Sequence, residues 1–299
     1  MVEAAEMEEL QSPVPVPLRG TSTFLLGEPG AGKTWALTTL VEAGLELAVI
    51  ITDPGGEESL LDAMRERDLP MDKLHWNYIP PASPSWEVLQ DMAFKIGEMS
   101  YEGLSGIKTG ISKHGYKQFY QLLSTLANFK DERTGEELGP VDAWGPDRAL
   151  AIDSTSGVNV MALDMMLGAK PAAHQGEWGV AMNAEEKLFM KLCSDLRCFL
   201  VITAHIEKEP DLVTGVPLIM AGLLGRKLAP KLPRLFSDVV LAYKEGSKFY
   251  WSTVAANVAL KSRALPLRDK LDPSFGQVVE VWKKRNELAE VPTPTSEEG

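Results

Sequence analysis

Apolar residues in this chain collect into short unbroken runs that end at glycine or aspartate, and the stretches between them carry helix-favouring spacing. Residues 21–26 are β-branched and apolar and stop at Gly27. Residues 46–52 (ELAVIIT) stop at Asp53-Pro54-Gly55-Gly56, residues 148–152 (RALAI) stop at Asp153, and residues 198–203 (CFLVIT) run into Ala204-His205. Runs of this length without polar alternation predict strands buried on both faces, as in a parallel sheet. Residues 33–43 favour helix and end at Gly44, a C-cap candidate. The first fifty residues thus predict a strand, a glycine loop, a helix and a second strand.

Beyond this unit, residues 57–69 predict a charged surface helix and residues 74–79 a short strand ahead of Pro80-Pro81. Two helices are expected over 85–99 and 116–129, separated by a stretch containing Gly103, Gly106, Gly110 and Gly115 and followed by a polar loop to residue 147. Residues 84–147 therefore look inserted. A helix is expected over 183–196, preceded by a loop over 168–179 that carries Trp178. After His205 a polar, hairpin-like region extends to about residue 225, and strands are expected near 239–243, 248–254 and 278–282. The fold class is α/β, with a central, mostly parallel sheet flanked by helices and extended by antiparallel strands on the C-terminal side. One domain spans 18–286, between a tail over 1–17 that ends in alternating prolines and an acidic tail over 287–299.

The 299 residues carry a formal charge of −12, which argues against a protein that coats nucleic acid through bulk positive charge. Position changes that reading. Four Glu lie in residues 1–12 and four in 287–299, neither segment holds a base, and the remainder is only −4. Residues 226–285 hold thirteen Lys or Arg against five Asp or Glu. The two cysteines, Cys193 and Cys198, lack CxxC spacing and read as buried thiols of a reducing compartment. The N-terminus has no basic-then-apolar leader, and no apolar run reaches the ~18 residues that span a bilayer. A cytoplasmic protein without membrane contact is expected.

The segment Gly27-Glu28-Pro29-Gly30-Ala31-Gly32-Lys33-Thr34 fits GxxxxGK[ST] at every specified position. Between a buried strand and a helix, such a loop turns successive backbone N–H groups and a helix N-terminus toward one anion, while its glycines let the backbone close around phosphate oxygens. Lys33 is expected to reach the β- and γ-phosphates and the Thr34 hydroxyl to ligate Mg²⁺. The strand ending in Asp153 puts a carboxylate at the same sheet edge, suited to holding Mg²⁺ through water; an N-cap for the next helix is the other reading of Asp153.

GEPGAGKT, the strand ending TDPGG, the strand ending AIDSTS and the strand ending ITAH together resemble the RecA-type P-loop ATPases, especially the phage-encoded RecA-like group with an AAA-type ATP-binding domain, over about residues 18–285. The resemblance implies an ATPase that uses Mg²⁺. It implies that Asp53, or alternatively Glu57 or Glu58, orients the attacking water. It also implies a polar γ-phosphate sensor at the end of the 198–203 strand, where Thr203 and His205 stand and His205 is the choice. Asp53 as a plain turn residue is the competing reading. Lys261-Ser262-Arg263 resembles the KxR element of ring- and filament-forming members, whose cations reach a neighbour's γ-phosphate. Alternation along an extended segment puts both cations on one face, although a solvated basic turn has the same composition.

Single-stranded DNA is the implied partner, through loops equivalent to 156–182 and 206–225, which are themselves poor in Lys and Arg. Within 226–285 the cluster Arg226, Lys227, Lys231 and Arg234 has no intervening acid, and Trp178 is a candidate base-stacking residue. The expected activity is ATP hydrolysis in DNA recombination, single-strand annealing or replication by a homo-oligomeric ring or filament. An ATP-switched assembly or regulatory protein without nucleic acid is the alternative. A small-molecule nucleotide kinase would need arginines in a lid, and the 84–147 insertion has only Arg133.

Overall fold

The computed structural model describes residues 20–98, 100, 103, 116–168, 173–210, 215–225 and 227–289. The expected tail over 1–17 lies outside them, as does the 287–299 tail apart from its first three residues.

Five parallel strands build the centre of the sheet: β1 (Ser22–Gly27), β2 (Glu46–Ile51), β3 (Leu74–Tyr78), β6 (Arg148–Asp153) and β7 (Phe199–Pro210). A small hairpin, β4 (Phe129–Lys130) with β5 (Glu137–Gly139), stands apart. Three further strands complete the main sheet: β8 (Pro217–Ala221), β9 (Asp238–Glu245) and β10 (Lys248–Ser252). The order is β10-β9-β1-β7-β6-β2-β3, with β9 parallel to β1, β10 antiparallel to β9, and β8 antiparallel to the outer half of β7. The expected architecture of a mostly parallel sheet with antiparallel additions is therefore observed.

Both faces are covered. Alternate residues of each central strand enter two separate cores, which is why the runs are apolar throughout. Phe24, Leu26, Ile50, Leu150, Ile152, Leu200 and Ile202 pack beneath α5 (Gln118–Ala127), α6 (Thr155–Leu167) and α7 (Gln175–Asp195). Leu25, Leu47, Val49, Ala151, Val201 and Val240 pack beneath α1 (Lys33–Leu37), α2 (Thr39–Glu42), α3 (Gly56–Glu66) and α8 (Gly276–Ala289). The inserted region contributes α4 (Trp86–Glu98), α5 and the β4–β5 hairpin. That hairpin covers the open edge of β3: Glu132 N donates to Trp76 O at 2.9 Å, and Asp131 and Glu132 carboxylates accept from the Trp76 and Tyr78 amides. At the other edge, the Trp251 and Leu271 backbones bond reciprocally.

Two expected elements are corrected. Residues 278–282 form no strand and lie inside α8. Phe275, Val278, Val279 and Trp282 are all buried and fall at i, i+3, i+4 and i+7, the face of a helix, so the β-branched pair misled where the period was decisive. Residues 175–179 are helix rather than loop, because a capping box between His174 and Glu177 starts α7 eight residues early, ahead of Gly176 and Gly179. Trp178 is thus a helical residue. The loop expected over 156–182 shrinks to the few residues between α6 and α7. The 206–225 region is a hairpin, as expected, formed by the outer half of β7 with β8.

Candidate nucleotide site

The loop over 27–34 joins the end of β1 to α1. A Cβ on Gly27 would lie 2.6 Å from the Ala242 carbonyl oxygen of β9, so only glycine lets the loop leave the sheet here. Gly30 and Gly32 have φ of +73° and +81°, and Gly32 is the N-cap of α1. The Ala31 amide turns back to Glu28 O at 3.1 Å. These glycines shape a cavity of about 340 Å³ lined by the loop from Pro29 to Thr34 together with Trp35, Asp53, Asp153 and His205. The structure thus brings five of the expected site residues together: Lys33, Thr34, Asp53, Asp153 and His205.

Lys33 is 6% exposed and folds back over its own loop, donating to Gly27 O at 2.9 Å and Glu28 O at 3.0 Å, with His205 Nδ1 at 3.3 Å. Burial pulls its ammonium below the ordinary lysine range, against the opposing charges of Asp153 and Asp53. The other ring nitrogen of His205, Nε2, faces Asp53. That nitrogen lies 3.6 Å from Asp53 Oδ2. Lys33, His205 and Asp53 form a line across the cavity mouth.

Asp153 ends β6, and the peptide to Ser154 is cis. Its carboxylate accepts from Thr34 Oγ1 at 2.7 Å on one oxygen and from Thr203 Oγ1 on the other. Burial pushes this carboxyl up strongly, the two hydroxyls and Lys33 resist, and Asp53 adds to the rise. The pair of oxygens from Thr34 and Asp153 is a hard donor set, and the cation acting on the buried carboxylate is Lys33. Mg²⁺ fits such a set, since it takes one or two protein oxygens and completes its shell with phosphate oxygens and water. Among the described residues no group of three or more His, Cys, Asp or Glu could hold a metal alone.

Asp53 sits at the end of β2 beside Gly55 and Gly56 in the cavity wall. Burial favours its neutral form, but the His205 ring 3.6 Å away, a hydrogen bond from Ser154 Oγ (2.6 Å) and the Lys33 charge outweigh it and hold the carboxyl below its ordinary value. Glu57 and Glu58 do not line the cavity; Glu57 is half-buried in α3 and Glu58 exposed. Ser154 and Thr52 were not legible as site residues. Ser154 Oγ also caps the Ser156 amide at the start of α6, and Thr52 Oγ1 bonds both the amide and the carbonyl of Ser154. Thr203, passed over for His205, is in direct contact with Asp153. Glu28 points outward and pairs with Lys208 of β7 at 2.5 Å.

Lys261 and Arg263 lie at the opposite edge of the sheet, where Lys261 bridges Val239 near the start of β9. The expected extended segment is not observed: the chain bends after Lys261. The Lys261 ammonium is bound to Phe236 O at 2.5 Å and Arg234 O at 3.3 Å, whereas Arg263 is exposed. Neither reaches the phosphate loop of its own chain. In the basic cluster, Arg226 lies outside the described residues and Lys227 and Arg234 are exposed. Lys231 meets Glu186 of α7 at 3.3 Å, so the cluster that is acid-free in sequence has an acid beside it in space. No described helix is long and apolar enough to cross a membrane. No protein-family model and no curated protein matches this chain.

Proposed function

We propose that this protein is a RecA-like P-loop ATPase that hydrolyses ATP with Mg²⁺ in a head-to-tail oligomer acting on DNA in recombination, annealing or replication. The observation that carries the reading is the contact of Asp153 with Thr34 at the mouth of a loop that also holds Lys33. A hydroxyl, a carboxylate and an ammonium converge where the backbone turns its N–H groups outward, the arrangement that phosphoryl chemistry requires. Thr34 and Asp153 would hold Mg²⁺, which would supply neutralisation of phosphate charge there.

Asp53, kept ionised by its hydrogen bonds, accepts a proton from the attacking water and fixes its direction. His205 reports the state of the γ-phosphate, because a phosphate that draws the Lys33 ammonium outward breaks the contact to Nδ1. That change reaches Asp53 through the same ring. Lys261 and Arg263 act on a neighbour's nucleotide. Their position at the sheet edge opposite the phosphate loop suits a contact in which one face meets a different face of the next copy, which closes into a ring or continues as a filament.

An ATP-switched assembly protein without nucleic acid is the second reading, favoured by the pairing of Lys231 with Glu186, which weakens the 226–234 basic cluster. ATP hydrolysis measured with and without single-stranded DNA, alongside the mass of the oligomer, separates the two. DNA-stimulated hydrolysis supports the first; hydrolysis indifferent to DNA, with no salt-sensitive strand binding, leaves the second.

A further inference from the structure

Asp53 just beyond β2, Asp153 at the end of β6 and His205 on β7 all lie on one side of β1, and they define where the terminal phosphate, metal and water belong. A triphosphate laid along the loop therefore carries its nucleoside away from them, toward β9 and β10 on the other side. At that end Phe249 of β10 lies against the loop. A Cβ placed on Gly32 would lie 3.1 Å from Cδ1 of its ring, so the ring lies against the last glycine before Lys33. Phe249 is nevertheless 41% exposed, with one part of its ring against the loop. Lys244 Nζ stands 5.4 Å from the ring centroid, adding positive charge where the phosphate nearest the sugar would pass.

We propose that Phe249 is the platform on which the nucleobase stacks, and that Lys244 accompanies it as a contact for the sugar-proximal phosphate. The proposal rests on the nucleotide reading and adds the nucleoside end of the site, which the phosphate loop does not specify. A ring reads the flat face of a base and not its hydrogen-bonding edge, so the site accepts adenine and guanine to similar extents. The wider cavity of about 700 Å³ beneath β8, lined by Ile206, Ile219, Leu241 and Val254, is the competing location for the base, since it shares Pro29, Gly30 and Ala31 with the phosphate site. It holds no aromatic face other than Tyr243, whose hydroxyl is already bonded to Asp269 at 2.8 Å.

Binding of ATP, GTP and inorganic tripolyphosphate to the full chain with Mg²⁺, measured by titration calorimetry, tests the assignment. Phe249→Ala is expected to weaken ATP and GTP alike by about tenfold, the scale of one base–aromatic stack, while tripolyphosphate binds as in wild type and Phe249→Tyr retains both nucleotides. Phe249→Ala with unchanged ATP affinity overturns the proposal, as does an equal loss for tripolyphosphate, which would make the ring a prop for Gly32. Nucleotide binding lost in Val254→Trp but retained in Phe249→Ala would move the base to the wider cavity. A wild-type chain that binds neither nucleotide nor tripolyphosphate removes the underlying nucleotide reading, a result distinct from all of these.

Discussion

Lys33 has three protons and three protein partners, two of them carbonyls of its own loop. A phosphate entering the loop replaces at least one of them, so the residue is held in place before any anion arrives. Lys33→Ala is expected to abolish ATP turnover, checked by phosphate release; hydrolysis at the wild-type rate would remove the phosphate-loop assignment. Thr203 makes a second, subtler test. Its hydroxyl helps keep Asp153 ionised against burial, and Thr203→Val removes that help at nearly constant volume. The expected result is a Mg²⁺ requirement raised about tenfold, the lower end for partners that orient metal ligands, read from the Mg²⁺ dependence of hydrolysis. At this scale the sequence was informative wherever chemistry sits at a strand end: Asp53, Asp153 and His205 each follow a buried run and converge in space. Ser154 and Thr52 escaped notice because a buried hydroxyl that organises a neighbour has no spacing of its own.

Elements were legible where one period dominated. The central strands run apolar throughout because two cores share them, and each such run is a strand in the structure. The failures came where two signals competed. The β-branched Val278-Val279 pair suggested a strand, although the positions from Phe275 to Trp282 carried a helical face; the glycines near Trp178 suggested a loop, although His174 and Glu177 supplied a helix start. Within α7, Glu185 is a fully buried carboxyl, approached by the Leu224 backbone and pushed up to about 8 by burial. Between its ordinary value of 4.5 and about 8 the folded chain binds a proton that the unfolded chain does not. Stability is therefore expected to fall as pH rises through this window and to level off above it. Thermal unfolding of Glu185→Gln, which cannot ionise, should lack that part of the slope; parallel pH profiles for variant and wild type would assign the slope elsewhere.

For the whole molecule, the sequence-derived fold class holds, while the oligomer is a matter of where chemistry lies on the two ends of the sheet. The residues of the candidate nucleotide site gather at the C-terminal edge of β1, and Lys261 and Arg263 at the other. Mixing Arg263→Ala with Asp153→Ala subunits is expected to recover some ATPase activity, since each variant supplies the half that the other lacks; mixtures no more active than either variant alone would argue that Arg263 does not act between subunits. Such recovery requires copies to meet through defined surfaces.

The covering of the sheet margins limits which surfaces these are. β3 is shielded by the 130–133 segment and β10 by the strand-like stretch at Leu271, while β8 donates from Ile219 N to Asn257 O. A second copy has little exposed backbone in these strands to pair with, so growth by adding strands end on end, the route to irreversible fibres, is disfavoured. Copies that associate must do so through side chains such as Arg263. Contacts of that kind weaken as salt rises, so the assembly should come apart on transfer to high ionic strength and form again on dialysis.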